Sequence, residues 1–122
     1  MEALFISKLK SLLDAVAGQM ELYVPRRVEG HYVYSRYDAE SDSSVQMNTI
    51  RACTTAKEFL FPAREQAATY PQATDPPEIA PFAVFGLKDC DIRSLAVLDK
   101  VFGEEEFEDP LYLARREKMF VI

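Results

Sequence analysis

The sequence predicts an α/β domain, of α+β character in its N-terminal half, with a small and partly parallel sheet. Three observations support this prediction. An amphipathic helix opens the chain, two strand-like runs follow it, and the last third has the order strand, helix, strand. Strands joined through a helix in this way form a right-handed crossover and are parallel. We therefore expect a C-terminal βαβ unit with flanking helices.

Four elements are predicted in the first half of the chain. They are a helix at residues 3–17 and strands at residues 21–24, 31–37 and 48–51. The helix follows from apolar residues at helical spacing, and Gly18 stands where a helix stop belongs. The first two strands are separated by Pro25, two arginines and the turn signal at residues 29–30. The acidic, serine-rich residues 38–44 are expected to form a loop.

Prolines divide the second half. Five of the seven prolines lie between residues 62 and 81, which indicates an irregular segment with room for a short helix at residues 64–69. A loop this long in a compact domain usually covers a site or contacts a partner. The elements predicted after it are a buried strand at residues 82–87, helices at about 91–102 and 111–117, and a short strand at 119–122.

Composition and charge limit the classes of function. The 122 residues are 48% hydrophobic and suit one domain with a single core, and the formal net charge is -6. This acidity argues against nucleic acid or an anionic membrane as the main partner. No apolar run approaches the length of a membrane span. Two separated cysteines without a CxxC motif favour a reducing compartment, so a cytoplasmic location is expected.

The end of the chain predicts a longer protein. Residues 120–122 put the terminal carboxylate directly on an apolar strand, which we expect to be central in the sheet. Domain termini usually lie at the surface. Residues 1–122 are therefore expected to form a single α/β domain excised from a larger chain.

Cys90 is the main candidate site residue. A buried strand stops at Gly86, and a short polar loop brings Cys90, flanked by Asp89 and Asp91, to the start of the next helix. Open α/β sheets gather ligands at such junctions, and a helix N-terminus favours a thiolate. The negative charges of the flanking carboxylates disfavour a thiolate at Cys90, and at least one of these carboxylates is expected to cap the helix. Cys90 is a candidate nucleophile, metal or cluster ligand, or small buried residue.

The other candidates carry weaker signals. His31 is the only histidine, so a zinc site of the common kinds is not expected. A Cys–His catalytic pair would require the fold to bring Cys53 or Cys90 to His31. Gly86 has no GxGxxG pattern around it, so a dinucleotide site is not indicated.

Four ordered blocks of sequence resemble a known family. The first is V-F-G-L-K-D-C-D at residues 84–91, continued by residues 92–95 and 98–102. The second, K-E-F-L-F-P at residues 57–62, is similar to the family's K-E-F-x-F-P. The third, at residues 109–117, is similar to D-P-x-Y-x-x-R-R-E, and residues 48–51 are a weaker match. Together they look like the iron–sulfur beta subunit of cytoplasmic sulfhydrogenases and NADP-reducing hydrogenases, and like the related A subunit of anaerobic sulfite reductase.

The resemblance implies a role in electron transfer. In that family an N-terminal α/β domain precedes a ferredoxin-like region with [4Fe–4S] clusters, and the subunit relays electrons between a flavoprotein and a catalytic subunit. In the family, the sequence continues past the strand that corresponds to residues 119–122 into a cysteine-rich N-C…C-F-C stretch. Those cysteines are expected beyond Ile122, with Cys90 as a further ligand of the same cluster. Cys53 stands where no family cysteine is expected, which favours a structural role for it.

The sequence leaves two hypotheses for the function, a non-catalytic domain of a larger subunit and a self-contained thiol protein. The first is a structural and docking domain of an electron-transfer iron–sulfur subunit, with no cofactor in the isolated chain and [4Fe–4S] clusters in the full-length protein. Its partners would be the ferredoxin-like region of the same subunit and the flavoprotein and catalytic subunits of a hydrogenase or sulfite reductase complex. The alternative is a small cytoplasmic thiol enzyme or interaction module that uses Cys90, with His31 as the only obvious base.

Overall fold

The computed structural model describes residues 2–40, 45–47, 52–65, 78–104 and 106–122. Over these residues the chain forms four helices and one mixed sheet of four strands in the order β2-β1-β3-β4. The helices are α1 (Glu2–Ala17), α2 (Lys57–Leu60), α3 (Asp89–Phe102) and α4 (Pro110–Lys118), and the strands are β1 (Glu21–Val28), β2 (His31–Arg36), β3 (Phe82–Val84) and β4 (Met119–Val121). The predicted α/β fold with a partly parallel sheet is confirmed.

Strands β1 and β2 form an antiparallel hairpin around a two-residue turn. Val28 pairs with His31, and the turn residues between them, Glu29 and Gly30, have φ of 48° and 85°. Positive φ at both positions is the type I′ geometry, whose twist matches that of the flanking strands. The turn therefore fixes the register of the hairpin and puts His31 at the start of β2.

Strand β1 continues through Pro25, so the prediction that the strand ends at residue 24 is wrong. Pro25 pairs with Tyr34, whose backbone N–H donates to the Thr54 hydroxyl at 2.7 Å rather than to β1. On its other side, β1 is paired with β3 only through residues 21–23. The N–H that proline lacks is therefore not needed by either neighbour, which is the condition under which a strand tolerates proline.

Strand β3 lies between β1 and β4 and is parallel to both. Its three residues are buried, as expected for a strand covered on both faces. The regular strand is shorter than the predicted 82–87, but backbone pairing extends beyond it: Phe85 N–H donates to Tyr23 O and Gly86 N–H donates to Ile122 O, both at 2.9 Å. The parallel pairing of the two strands of the βαβ unit is confirmed.

Strand β4 forms an edge of the described sheet, so the expectation of a central C-terminal strand is wrong. Met119 is buried, whereas Phe120, Val121 and Ile122 are 51%, 40% and 41% exposed. An apolar composition shows that a strand packs against a core, but it does not show that a further strand lies beside it. The prediction confused these two conditions.

The sheet separates two apolar clusters, because successive side chains of a strand point to opposite faces. On one face, α1 packs on β1, and on the other lie α2, α3 and α4. The buried residues of the first cluster are Leu13, Leu22, Val24, Tyr37 and Ala83. Those of the second are Ala56, Leu60, Phe82, Val84, Leu95, Tyr112 and Met119.

The predicted helices at residues 3–17, 91–102 and 111–117 correspond to α1, α3 and α4 and are confirmed with small shifts at their ends. The start of α4 has a clear cause. The Asp109 carboxylate accepts hydrogen bonds from Leu111 N–H at 3.0 Å and Tyr112 N–H at 3.1 Å, with Pro110 in the first turn. The predicted strand at residues 48–51 and most of the predicted helix at 64–69 lie outside the described residues.

Helices α3 and α4 are joined by Asp99. Its carboxylate accepts hydrogen bonds from the Tyr112 hydroxyl at 2.6 Å and from Arg116 Nε at 2.9 Å. Tyr112 is 1% exposed. Burial, and then the hydrogen bond to the Asp99 carboxylate, raise the pKa of Tyr112 above its usual range. The network orients α4, which leads directly into β4.

Candidate functional site: the junction of β3 and α3

The junction between β3 and α3 carries Cys90. Strand β3 ends at Val84, and Cys90 is the second residue of α3. Its thiol is exposed. It lies beyond the carboxyl end of a parallel strand, at a helix end whose unpaired N–H groups favour negative charge. The sequence left three roles open for Cys90. Its exposure excludes the role of a buried packing residue, and the roles of nucleophile and ligand remain.

Gly86 shapes this junction. Its φ is 80°, a conformation that L side chains rarely adopt, and a Cβ there would lie 3.4 Å from Cγ of Pro25. Its N–H donates to Ile122 O at 2.9 Å, and its carbonyl accepts from the Tyr34 hydroxyl at 3.1 Å. These two hydrogen bonds hold the loop that leads to Cys90 against both β2 and β4.

The two aspartates beside Cys90 have different partners. The N-cap residue of α3 is Lys88 and not an aspartate, and Asp91 Oδ2, in the first turn, accepts a long hydrogen bond from Lys88 N–H at 3.4 Å. Asp89 Oδ2 lies 2.9 Å from Arg93 Nε on the next turn of α3, in an exposed ion pair. Each carboxylate is thus engaged with a donor, which reduces its repulsion of a negative charge at Cys90.

Tyr34 completes the junction, and the sequence did not identify it as a site residue. Burial raises the pKa of Tyr34, and the neighbouring Asp91 and Cys90 add to the rise. The hydroxyl therefore stays protonated near neutral pH and remains a donor to Gly86 O. This contact joins residues 52 positions apart, so no local motif marks it. The Tyr34 ring packs against the core, while its hydroxyl reaches the Gly86 loop.

A cavity of about 200 Å³ opens beside the junction. Its walls are Pro25, Gln46, Met47 and residues 85–88, so Cys90 does not line it. Pockets for small organic ligands usually enclose several hundred Å³. The junction thus presents Cys90 on the surface, where an external group can reach the sulfur, and not in an enclosed substrate pocket.

The fold brings His31 to Cys53. The Cys53 sulfur lies 3.8 Å from His31 Nδ1, and Cys53 N–H donates to Tyr32 O at 2.6 Å along the outer edge of β2. The sequence left open whether Cys53 or Cys90 would contact His31, and in the structure it is Cys53. Cys53 is also exposed, so it has no packing role in the core.

Within the described ranges, no group of three or more His, Cys, Asp or Glu side chains is arranged to hold a metal ion. None of the helices found there combines the length and the apolar character that crossing a bilayer requires.

Comparison of the chain with protein-family models, with curated proteins and with solved structures found no match. The resemblance to the iron–sulfur beta subunits therefore stays a prediction from the four sequence blocks.

Proposed function

We propose that the chain is a structural and docking domain of a cytoplasmic electron-transfer iron–sulfur subunit, in a hydrogenase or sulfite reductase complex, and is not catalytic alone. The observation that carries the proposal is the exposed thiol of Cys90 at the junction of β3 and α3. A cysteine that ligates a cluster held by another part of the protein must be accessible. The block at residues 84–91, with its continuation at residues 92–95 and 98–102, is also the longest part of the family resemblance.

The position of Ile122 supports the same proposal. Gly86 N–H donates to Ile122 O, so the end of β4 is hydrogen-bonded to the loop that leads to Cys90. A segment that continued from Ile122 in the full-length subunit would begin beside this loop, because the carboxyl ends of parallel neighbours meet at one sheet edge. The N-C…C-F-C stretch expected there would supply the remaining cysteines.

The residues around Cys90 suit a [4Fe–4S] cluster. Such a cluster normally takes four cysteine thiolates, and residues 1–122 contain two cysteines, so three of the ligands would come from the N-C…C-F-C stretch expected beyond Ile122. Cys90 would supply one thiolate. N–H groups in the first turn of α3 would hydrogen-bond cluster sulfurs and raise the reduction potential. Asp89 and Asp91 already have partners in Arg93 and Lys88 N–H, which lessens their repulsion of a negatively charged cluster.

The outer edge of β4 is the contact surface that we propose for the ferredoxin-like region. In the described sheet this edge has no strand beside it, and residues 120–122 are between 40% and 51% exposed. An unpaired strand edge with exposed apolar side chains is a template for another segment. A region that brought cluster ligands to Cys90 would cover this edge as well. The flavoprotein and catalytic subunits would then dock on the complete subunit.

A thiol enzyme based on Cys90 receives less support from the geometry. Such an enzyme needs a base beside the nucleophile. The only histidine of the chain contacts Cys53, and the chain neighbours of Cys90 are carboxylates.

Replacement of Cys90 in the full-length subunit tests the proposal, with Cys53→Ser as a matched control at the other exposed cysteine. Cys90→Ser should lose about four irons per subunit if the cluster becomes labile, since each [4Fe–4S] cluster contains that number. Cys53→Ser should retain the iron. An unchanged iron content with an unchanged EPR spectrum in Cys90→Ser would overturn the proposal, and so would equal loss in both variants.

A further inference from the structure

We propose that Cys53 and His31 form a thiol–imidazole pair, which makes Cys53 a site of reversible mixed-disulfide formation with small disulfides of the glutathione type. The Cys53 sulfur and His31 Nδ1 are 3.8 Å apart, a hydrogen-bonding distance for sulfur. The inference concerns neither Cys90 nor a cluster, so it does not depend on the proposed function.

The backbone holds both members of the pair. The type I′ turn fixes His31 as the first residue of β2. Two hydrogen bonds fasten the segment of Cys53 to the same strand: Cys53 N–H donates to Tyr32 O at 2.6 Å, and Thr54 Oγ1 accepts from Tyr34 N–H at 2.7 Å. The aligned backbones therefore bring the two side chains within reach of each other.

The imidazole promotes thiolate chemistry in either protonation state. A neutral ring accepts the thiol proton, as in Cys–His nucleophiles, and a protonated ring stabilises the thiolate. Cys90 has a different environment. The only histidine of the chain contacts Cys53, so Cys90 has no imidazole beside it to take up its proton. We therefore expect Cys53 to be the more reactive of the two exposed cysteines.

The exchange reaction is balanced without a further reagent. The Cys53 thiolate attacks one sulfur of the disulfide, a new S–S bond forms at Sγ, and the original S–S bond breaks. The other half leaves as a thiolate and takes up the proton that His31 accepted from the Cys53 thiol. Cys53 is oxidised and one half of the disulfide is reduced. Both side chains are exposed, so a small disulfide reaches the sulfur directly.

Two single-cysteine proteins test this inference. In the 122-residue chain, Cys90→Ser leaves only Cys53, and Cys53→Ser leaves only Cys90. Each is incubated with glutathione disulfide at neutral pH, and the mixed disulfide is followed by mass spectrometry. We expect Cys53 to react at least about tenfold faster than Cys90. His31→Gln in the Cys90→Ser background should slow Cys53 by at least about tenfold, because acid–base assistance typically contributes about 100-fold or more.

The same reactions in denaturant are the control for intrinsic differences between the proteins. In unfolded chains, the proteins with His31 and with His31→Gln should react at the same rate, because the pair depends on the fold. Circular dichroism identifies a variant that fails to fold. A folded His31→Gln protein in which Cys53 reacts at the original rate would overturn the inference, as would equal rates for Cys53 and Cys90 in the native state.

Discussion

Replacing Asp99 with alanine removes the carboxylate that joins α3 to α4. The Tyr112 hydroxyl, 2.6 Å from Asp99 Oδ1, and the Arg116 guanidinium, whose Nε lies 2.9 Å from the same oxygen, both lose their acceptor. Tyr112 is 1% exposed, so its hydroxyl would remain buried without this partner. The variant therefore measures how strongly the α3–α4 network supports the strand that follows it.

The two contacts contribute unequally to the free energy of unfolding. A hydrogen bond from a buried donor to a charged acceptor is worth about 1.5–3 kcal/mol. The side chains of Arg116 and Asp99 are 32% and 39% exposed, so solvent screens their ion pair and it adds at most about 1 kcal/mol. Asp99→Ala should therefore lower the free energy of unfolding by about 2–4 kcal/mol.

Asp89→Ala is the matched control on the same helix. Asp89 also pairs with an arginine, but the side chains of Arg93 and Asp89 are 80% and 78% exposed. An ion pair this exposed, together with the favourable position of Asp89 in the first helical turn, contributes less than about 1 kcal/mol. The two variants remove the same group from settings that differ in burial.

Urea unfolding followed by circular dichroism measures the difference. With a slope of about 2 kcal/mol per M for a small domain, Asp99→Ala should lower the midpoint by about 1–2 M and Asp89→Ala by less than about 0.5 M. Asp99→Asn keeps an acceptor for Tyr112 and should recover part of the loss. A midpoint in Asp99→Ala no lower than that in Asp89→Ala would refute the assignment of a stabilising role to the Asp99 network.

Two further predictions concern a glycine and an acidic residue. Gly103→Ala should destabilise the protein by about 1–3 kcal/mol, because the new Cβ would lie 2.5 Å from Asp99 O. Gly18→Ala is the control: its Cβ would have no contact closer than 3.5 Å, so stability should change by less than about 1 kcal/mol. Equal effects of the two substitutions in thermal unfolding would contradict this prediction. The Tyr37 hydroxyl donates to Asp14 at 2.6 Å and holds the pKa of Asp14 below 3.8, so this contact stabilises the fold above that pH and is lost as pH falls through the folded-state value. Tyr37→Phe should raise the pKa of Asp14 towards 3.8 in a carboxyl NMR titration, and an unchanged pKa would show that the hydrogen bond is not its cause.

Local patterns in the sequence predicted most of the elements. The helical spacing of apolar residues and the stop signal at Gly18 predicted α1, and Asp109 followed by Pro110 explains the start of α4. Local signals failed where a neighbouring strand decides the outcome. The extension of β1 through Pro25 depends on which N–H groups β2 and β3 require, and a single strand does not contain that information.

In the candidate site, too, local features were predicted from the sequence and contacts between distant residues were not. The sequence predicted the loop with Cys90, because the end of a strand, a glycine and the start of a helix follow one another within a few residues. It did not predict that Tyr34 reaches Gly86, or which cysteine His31 meets, because these contacts join residues 52 and 22 positions apart. Contacts of this kind follow from strand order and register.

The EPR spectrum of the reduced full-length subunit tests the proposed role of Cys90 most directly. Cys90→Ser and Cys53→Ser are compared with the unaltered protein. If Cys90 ligates a [4Fe–4S] cluster, serine in its place removes one signal or shifts its g values and reduction potential, because ligand identity sets both. Cys53→Ser should leave the spectrum unchanged. Identical spectra for the unaltered protein and Cys90→Ser would contradict the role of this domain in holding a cluster.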